Sequence, residues 1–161
     1  MFIAIKTLPE KKLIGKRISM SMTDNKTVEL WKSFMPFRFR IKNKAGNDLF
    51  SIQVFDPSFS FSNFDVHAKF EKWASLEVSH YEEVPEGMEK FILAGGLYAV
   101  FLHTGTIAGA EKTFRYVFET WLPGSGYELD NRPHFELLGE KYKNNDPSSE
   151  EEVWIPVKNR I

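Results

Sequence analysis

Two hexapeptides, WKSFMP at 31–36 and FETWLP at 118–123, share the order aromatic, any residue, Ser or Thr, aromatic, apolar, proline at an offset of 87 residues (31 to 118). Each closes a stripe of apolar side chains at helical spacing. The first stripe is Val28, Trp31, Phe34 and Met35, and the second is Phe114, Val117, Phe118, Trp121 and Leu122. Proline has no N–H to donate, so Pro36 and Pro123 mark the two helix ends. Asp24 or Thr27 is the expected N-cap of the first helix. Strand-like runs flank both helices. KLIGKRISMS precedes the first, and LFSIQVFD and WASLEVS follow it; KFILAGGLYAVFLHTG precedes the second, and HFELLGEKY and EEVWIPVK follow it.

The order strand–helix–strand–strand therefore occurs twice, and short connections make successive strands pair antiparallel with a helix over one face. The expected fold is α+β: a duplicated βαββ repeat, two antiparallel sheet halves each with one main helix, and a ligand cleft between the halves. At 161 residues the chain reads as a single domain, 1–161, with a first repeat over about 1–80 and a second over about 87–161. Segment 57–71 reads as a long loop of the kind that often carries function.

Charge excludes one class of partner. A net charge of −1 and a pI near 6.4 argue against the basic footprint needed to neutralise phosphates, so direct nucleic-acid binding is not expected. The chain has no Cys, which removes disulfides, Cys nucleophiles and thiolate metal sites and fits the cytoplasm. MFIAIKTLPEKK lacks the basic start and long apolar run of a signal peptide. Residues 91–110 carry no Asp, Glu, Lys or Arg, but their four glycines make them a buried strand and a turn, not a membrane span. His67, His80, His103 and His134 lack metal-ligand spacing, and no phosphate-binding loop or GxSxG elbow occurs; no catalytic residue, metal or cofactor is assigned.

Fifteen Phe and four Trp raise the aromatic share to 15%, enough to fill a core and also to wall an apolar ligand site. Read as a strand, 134–142 places Glu136, Leu138, Glu140 and Tyr142 on one face, with Phe135, Leu137, Gly139 and Lys141 on the other. Glu152 and Trp154 also share a face. Carboxylates beside rings describe either a wet sheet face or a pocket wall, and alternation alone leaves both open.

The tail carries more: Glu140-Lys-Tyr142, Asp146-Pro147, then Glu152-Val-Trp154-Ile-Pro-Val. With WKSFMP and FETWLPGSGY it resembles the GyrI-like, or AraC-type effector-binding, domain over nearly the whole chain. The resemblance implies the duplicated βαββ architecture. It also implies the ligand-sensing half of multidrug-responsive bacterial transcription regulators, where a carboxylate in an aromatic cleft receives lipophilic cations. It puts Glu140 at the key acidic position, with Glu152 and Trp154 as a second acid and a ring. Those regulators carry a fused helix-turn-helix; the domain takes up this chain, so no DNA-binding segment is expected and regulation would need a protein partner.

The expected function is binding of a lipophilic, cationic or aromatic small molecule, in a transcription-related or drug-resistance role. The alternatives are a hydrolase opening cyclopropane-bearing compounds in the same cleft, or a gyrase-inhibitor-like protein-binding factor. The expected ligand-binding set is Glu140, Tyr142, Glu152, Trp154, Trp31, Phe34 and Tyr98. Glu136 is expected to face solvent, and Glu152 is open between a pocket role and the charge run Glu150–Glu152. Trp31 and Phe34 are the helix aromatics taken to line the cleft. Tyr98 is open between a cleft ring and a buried Tyr with a satisfied hydroxyl.

Overall fold

The computed structural model describes residues 1–60 and 65–161; positions 61–64 of the expected long loop lie outside the described residues. The strands are β1 (Phe2–Leu8), β2 (Lys11–Met20), β3 (Lys44–Val54), β4 (Phe70–Val78), β5 (Glu89–Leu93), β6 (Gly96–Thr104), β7 (Tyr127–Leu129), β8 (His134–Leu138) and β9 (Glu150–Asn159). Helix α1 (Thr27–Phe34) runs into a 3-10 segment, Met35–Arg40, and helix α2 (Ala110–Arg115) into a π-helical turn, Tyr116–Trp121, and a last turn, Leu122–Gly124. The wider turn comes just before Pro123, which offers no N–H and crowds the carbonyl four residues back. Neither expected cap residue caps α1: its N-cap is Lys26 without a side-chain hydrogen bond, and Asn25 Oδ1 accepts from the Thr27 N–H at 3.0 Å. Among the described residues no helix is long and apolar enough to cross a membrane.

All pairing is antiparallel, in the order β1-β6-β9-β8-β3-β4-β2-β5, with β7 also on β9. The strands thus form one continuous sheet instead of two separate halves, joined where β8 pairs β3. The expected strand 90–105 is broken at Ala94–Gly95, and its parts lie at opposite ends of the sheet. Two-residue links, Pro9–Glu10 and Ala94–Gly95, each carry the chain from one end to the other. A link that short spans ~11 Å between the flanking Cα atoms, so the sheet must curl until its ends approach. The two links touch: a Cβ on Gly95 would sit 2.6 Å from the Leu8 carbonyl oxygen.

Curling explains a core that no helix covers. The inner face holds Leu8, Leu13, Phe50, Ile52, Trp73, Leu93, Tyr98, Val100, Phe135 and Trp154, all buried. Both helices lie on the outer face. α1 packs Leu30 and Phe34 against Ile14, Ala74, Leu76 and Val78 of β2 and β4. The α2 segment packs Val117, Phe118 and Trp121 against Ala99, Phe101, Val153 and Ile155 of β6 and β9. Strands β3 and β8 lie between these helix-covered pairs, and the outer face of the middle of the sheet becomes a groove.

Candidate functional site

The groove floor is set by register. Gln53 of β3 pairs with Lys72 of β4 on one side and His134 of β8 on the other, Ser51 pairs with Glu136, and Glu136 pairs with Val153 of β9. Paired residues share a face, so Lys72, Gln53, Ser51, His134 and Glu136 point outward together, with Glu151 two residues from Val153 on the same face. Gln53 Nε2 donates to Glu136 Oε2 at 2.9 Å. Lys72 is only 6% exposed, and among the described residues it makes no direct ion pair; Glu136 and Glu151 act on it through space.

Burial governs the charges. It lowers the Lys72 ammonium below its ordinary value, against the attraction of Glu136 and Glu151. It pushes the Glu151 carboxyl up to about 7, with repulsion from Glu136 adding and Lys72 opposing. Burial, then the Glu151 charge, raises the Tyr142 phenol. Burial and nearby Arg132 take His134 down to about 3. A carboxyl raised in the fold favours its protonated form there, so stability is lost as pH rises from the ordinary carboxylate value through about 7. Glu151→Gln is expected to raise the melting temperature at about pH 8 and to leave it nearly unchanged at about pH 5, where the wild-type carboxyl is already protonated in the fold. A scan of both proteins at the two pH values checks this, and equal shifts at both would sink it.

One strand step from Glu136 (~6.7 Å for i to i+2), His134 also lines a cavity of about 350 Å³ walled by Phe55, Phe59, Phe118, Leu122 and Leu129. Asp130, Arg132 and Asp56 line it as well. Arg132 is committed to structure: it donates to Asp130 at 2.8 Å and to the carbonyls of Leu97 and Val157, with its guanidinium 4.7 Å from the Tyr98 ring centre.

The residues expected to bind ligand are divided among several places. Trp154, 8% exposed, stacks on Phe135 at 5.2 Å on the inner face and donates its indole N–H to Glu152 at 3.0 Å. Tyr98 is fully buried there, its hydroxyl donating to the Pro133 carbonyl at 2.8 Å. A second cavity, about 310 Å³, opens on that face beside Phe50, Phe135, Leu137, Trp154 and Lys6. Phe34 is buried under α1, with half-buried Trp31 edge-on to it at 5.7 Å. Glu140 is exposed, because β8 stops at Leu138 and the chain turns, with Tyr142 N–H donating to the Gly139 carbonyl at 3.1 Å. Asp146 builds the next turn by accepting from Ser148 N–H and hydroxyl at 2.8 and 2.7 Å.

Glu136 corrects the solvent-facing expectation: it is half-buried and hydrogen-bonded inside the groove. Sequence reasoning missed Lys72, Gln53 and Glu151. For Lys72 a signal existed: in FEKWASLEV it occupies the same parity as Ala74, Leu76 and Val78, the apolar side of the strand. Among the described residues no three His, Cys, Asp or Glu side chains could hold a metal ion.

Comparison with known proteins agrees with this architecture. The chain is 25% identical over 150 residues to the transcriptional regulator BrlR of Pseudomonas aeruginosa, covering 92% of this chain and 53% of BrlR, so it spans about half the length of that relative. In structure it is similar to the EcmrR C-terminal domain, with a TM-score of 0.71, 16% identity and 99% of both chains covered. It is also similar to SAV2435 bound to tetraphenylphosphonium, with a TM-score of 0.67, 13% identity and 98% and 94% of the two chains covered. The model of the GyrI-like small molecule binding domain matches residues 1–158, and the chain belongs to that family.

Proposed function

We propose that the groove between α1 and α2 binds lipophilic cations, with Glu136 as the anchor and Glu151 and Tyr142 beside it. The observation that carries the reading is the placement of Glu136. It is held by Gln53 at 2.9 Å on a half-buried floor, next to a second carboxylate and one strand step from an aromatic-walled cavity. A poorly solvated carboxylate gains most from an organic cation, since such a ligand brings charge without a strongly held water shell. Ring faces add ~0.5–2 kcal/mol each by cation–π attraction, and apolar ligand surface adds roughly 25 cal/mol per Å² buried. The tetraphenylphosphonium bound by SAV2435 belongs to this class. In this reading Glu140, in the exposed turn, and Glu152, Trp154 and Tyr98, on the inner face, do not touch the ligand.

The reading includes two copies of a βαββ unit with the groove between them. Its support is topological: β2, α1, β3, β4 lie in the sheet order β3-β4-β2, and β6, α2, β8, β9 in the order β8-β9-β6. Each unit also carries Glu-x-Trp with the indole donating to the carboxylate two residues before it, Trp73 to Glu71 and Trp154 to Glu152. Cation binding in such a groove fits the sensing part of a transcription-related system, in keeping with BrlR being a regulator.

Titration with tetraphenylphosphonium at about pH 8, followed by tryptophan fluorescence or calorimetry, tests the anchor. Glu136→Gln keeps the shape and removes the charge, and affinity is expected to fall about tenfold or more, ~1.4 kcal/mol. Saturable binding with equal affinity in both proteins would remove Glu136 from the mechanism.

A further inference from the structure

The groove holds a positive charge of its own. Resting on the binding reading above, we propose that Lys72 is a built-in counter-cation: its ammonium takes up carboxylate charge that a ligand would otherwise engage, and so decides which cations the groove accepts. The geometry is that of a tethered competitor. Lys72 projects from β4 into the same outward row as Gln53 and His134, beside the Ser51–Glu136 pair, with the Coulomb fields of Glu136 and Glu151 both on it. Gln53, the register neighbour of Lys72, spends its amide on Glu136. Burial disfavours the Lys72 ammonium, and the two carboxylates act in the opposite sense and favour it.

The groups that face the cluster come from every neighbouring element. Gln53 projects from β3, Glu136 and His134 from β8, Glu151 from β9, and Tyr142 from the turn between β8 and β9. His103 of β6 pairs with Glu151 in register and is occupied by Thr113 Oγ1 at 2.7 Å and the Thr106 carbonyl at 3.1 Å. Protonation of Glu151 removes one carboxylate charge from the field on Lys72 and from the floor that a permanent cation would meet, and ionisation restores it.

A pair of consequences separates this from a purely structural lysine. In the wild type the affinity for tetraphenylphosphonium rises between about pH 6 and about pH 8.5, as Glu151 ionises. Lys72→Met, which keeps an unbranched side chain of similar length without the charge, frees Glu136 at either pH. That variant is expected to bind about tenfold tighter than wild type at pH 6, with a smaller gain at pH 8.5. Lys72→Gln serves as the second uncharged variant, and circular dichroism verifies the fold of each.

The outcomes are distinct. A gain at pH 6 in either folded variant supports the proposal, including the case where the wild type does not bind there at all. Wild-type binding that Lys72→Met and Lys72→Gln leave unchanged or weaken overturns the role of Lys72 and keeps the cation groove. No binding by any of the proteins at either pH overturns both.

Discussion

Phe135→Ala is expected to destabilise the protein by about 4 kcal/mol, within the range of roughly 3–5 for buried aromatic truncation. Phe135 is 1% exposed at the centre of the inner face. It stacks on Trp154 at 5.2 Å, meets Tyr98 edge-on at 5.3 Å and leans on Phe50 at 5.6 Å. Three rings from three other strands thus share one partner, and removing it leaves a void lined by groups that are themselves locked by pairing. The surrounding sheet is curled and tied at its ends, so it has little freedom to collapse into the gap. For a chain of this size the expected loss is roughly 8–16 °C in melting temperature, read by thermal or denaturant unfolding. A loss below about 1 kcal/mol would mean that the inner face is loosely packed and is not the principal core.

The second large effect concerns backbone approach. Gly15→Ala is expected to cost about 3 kcal/mol, near the upper end for overpacking. Gly15 lies inside β2, paired with Ser75 of β4 and Glu89 of β5. A Cβ there would stand 2.1 Å from the Ala74 carbonyl oxygen and 2.6 Å from the Ser75 Cβ. Neither atom is the end of a flexible side chain, so the strands themselves must part. Because β2 joins the end of the sheet to β4 and carries β5, the damage reaches α1, which packs on Ile14. Unfolding titrations of the variant check the value. A stability equal to wild type would show that β2 and β4 can separate at no cost.

The elements legible in the sequence were those whose signal is local. The 3.6-residue stripes through Trp31 and Phe34 and through Val117 and Trp121 report helices that need only one apolar face, and the helices bury Phe34 and Val117 fully and the two indoles in part. The strands around β3, β4, β8 and β9 were legible through alternation. The break at Ala94–Gly95 was not, because nothing in KFILAGGLYAV says that its two parts belong at opposite ends of a sheet. Gly95 is needed there for contact with Leu8, 87 positions earlier in the chain (8 to 95), a requirement of tertiary closure.

The candidate site shows the same division. Strand parity placed Glu136 and Phe135 on opposite faces, as they are, but could not say which face the helices cover. The family resemblance put the acidic position at Glu140, whereas β8 stops at Leu138 and the turn at Gly139 leaves Glu140 exposed. Glu151 was hidden in a charge run, and its raised carboxyl depends on Glu136 from β8 and on burial that only the assembled sheet provides.

Thus the sequence alone determined the family, the mixed α+β class, the two helices and most strands, because periodicity and motif are properties of neighbours along the chain. The tertiary structure alone decided that one sheet curls into an inner core, and that Lys72, Glu136 and Glu151 meet on the floor of an outer groove. Those through-space interactions join β4 to β8 and β9, which lie far from it in the chain, and their energies come from burial and Coulomb interaction.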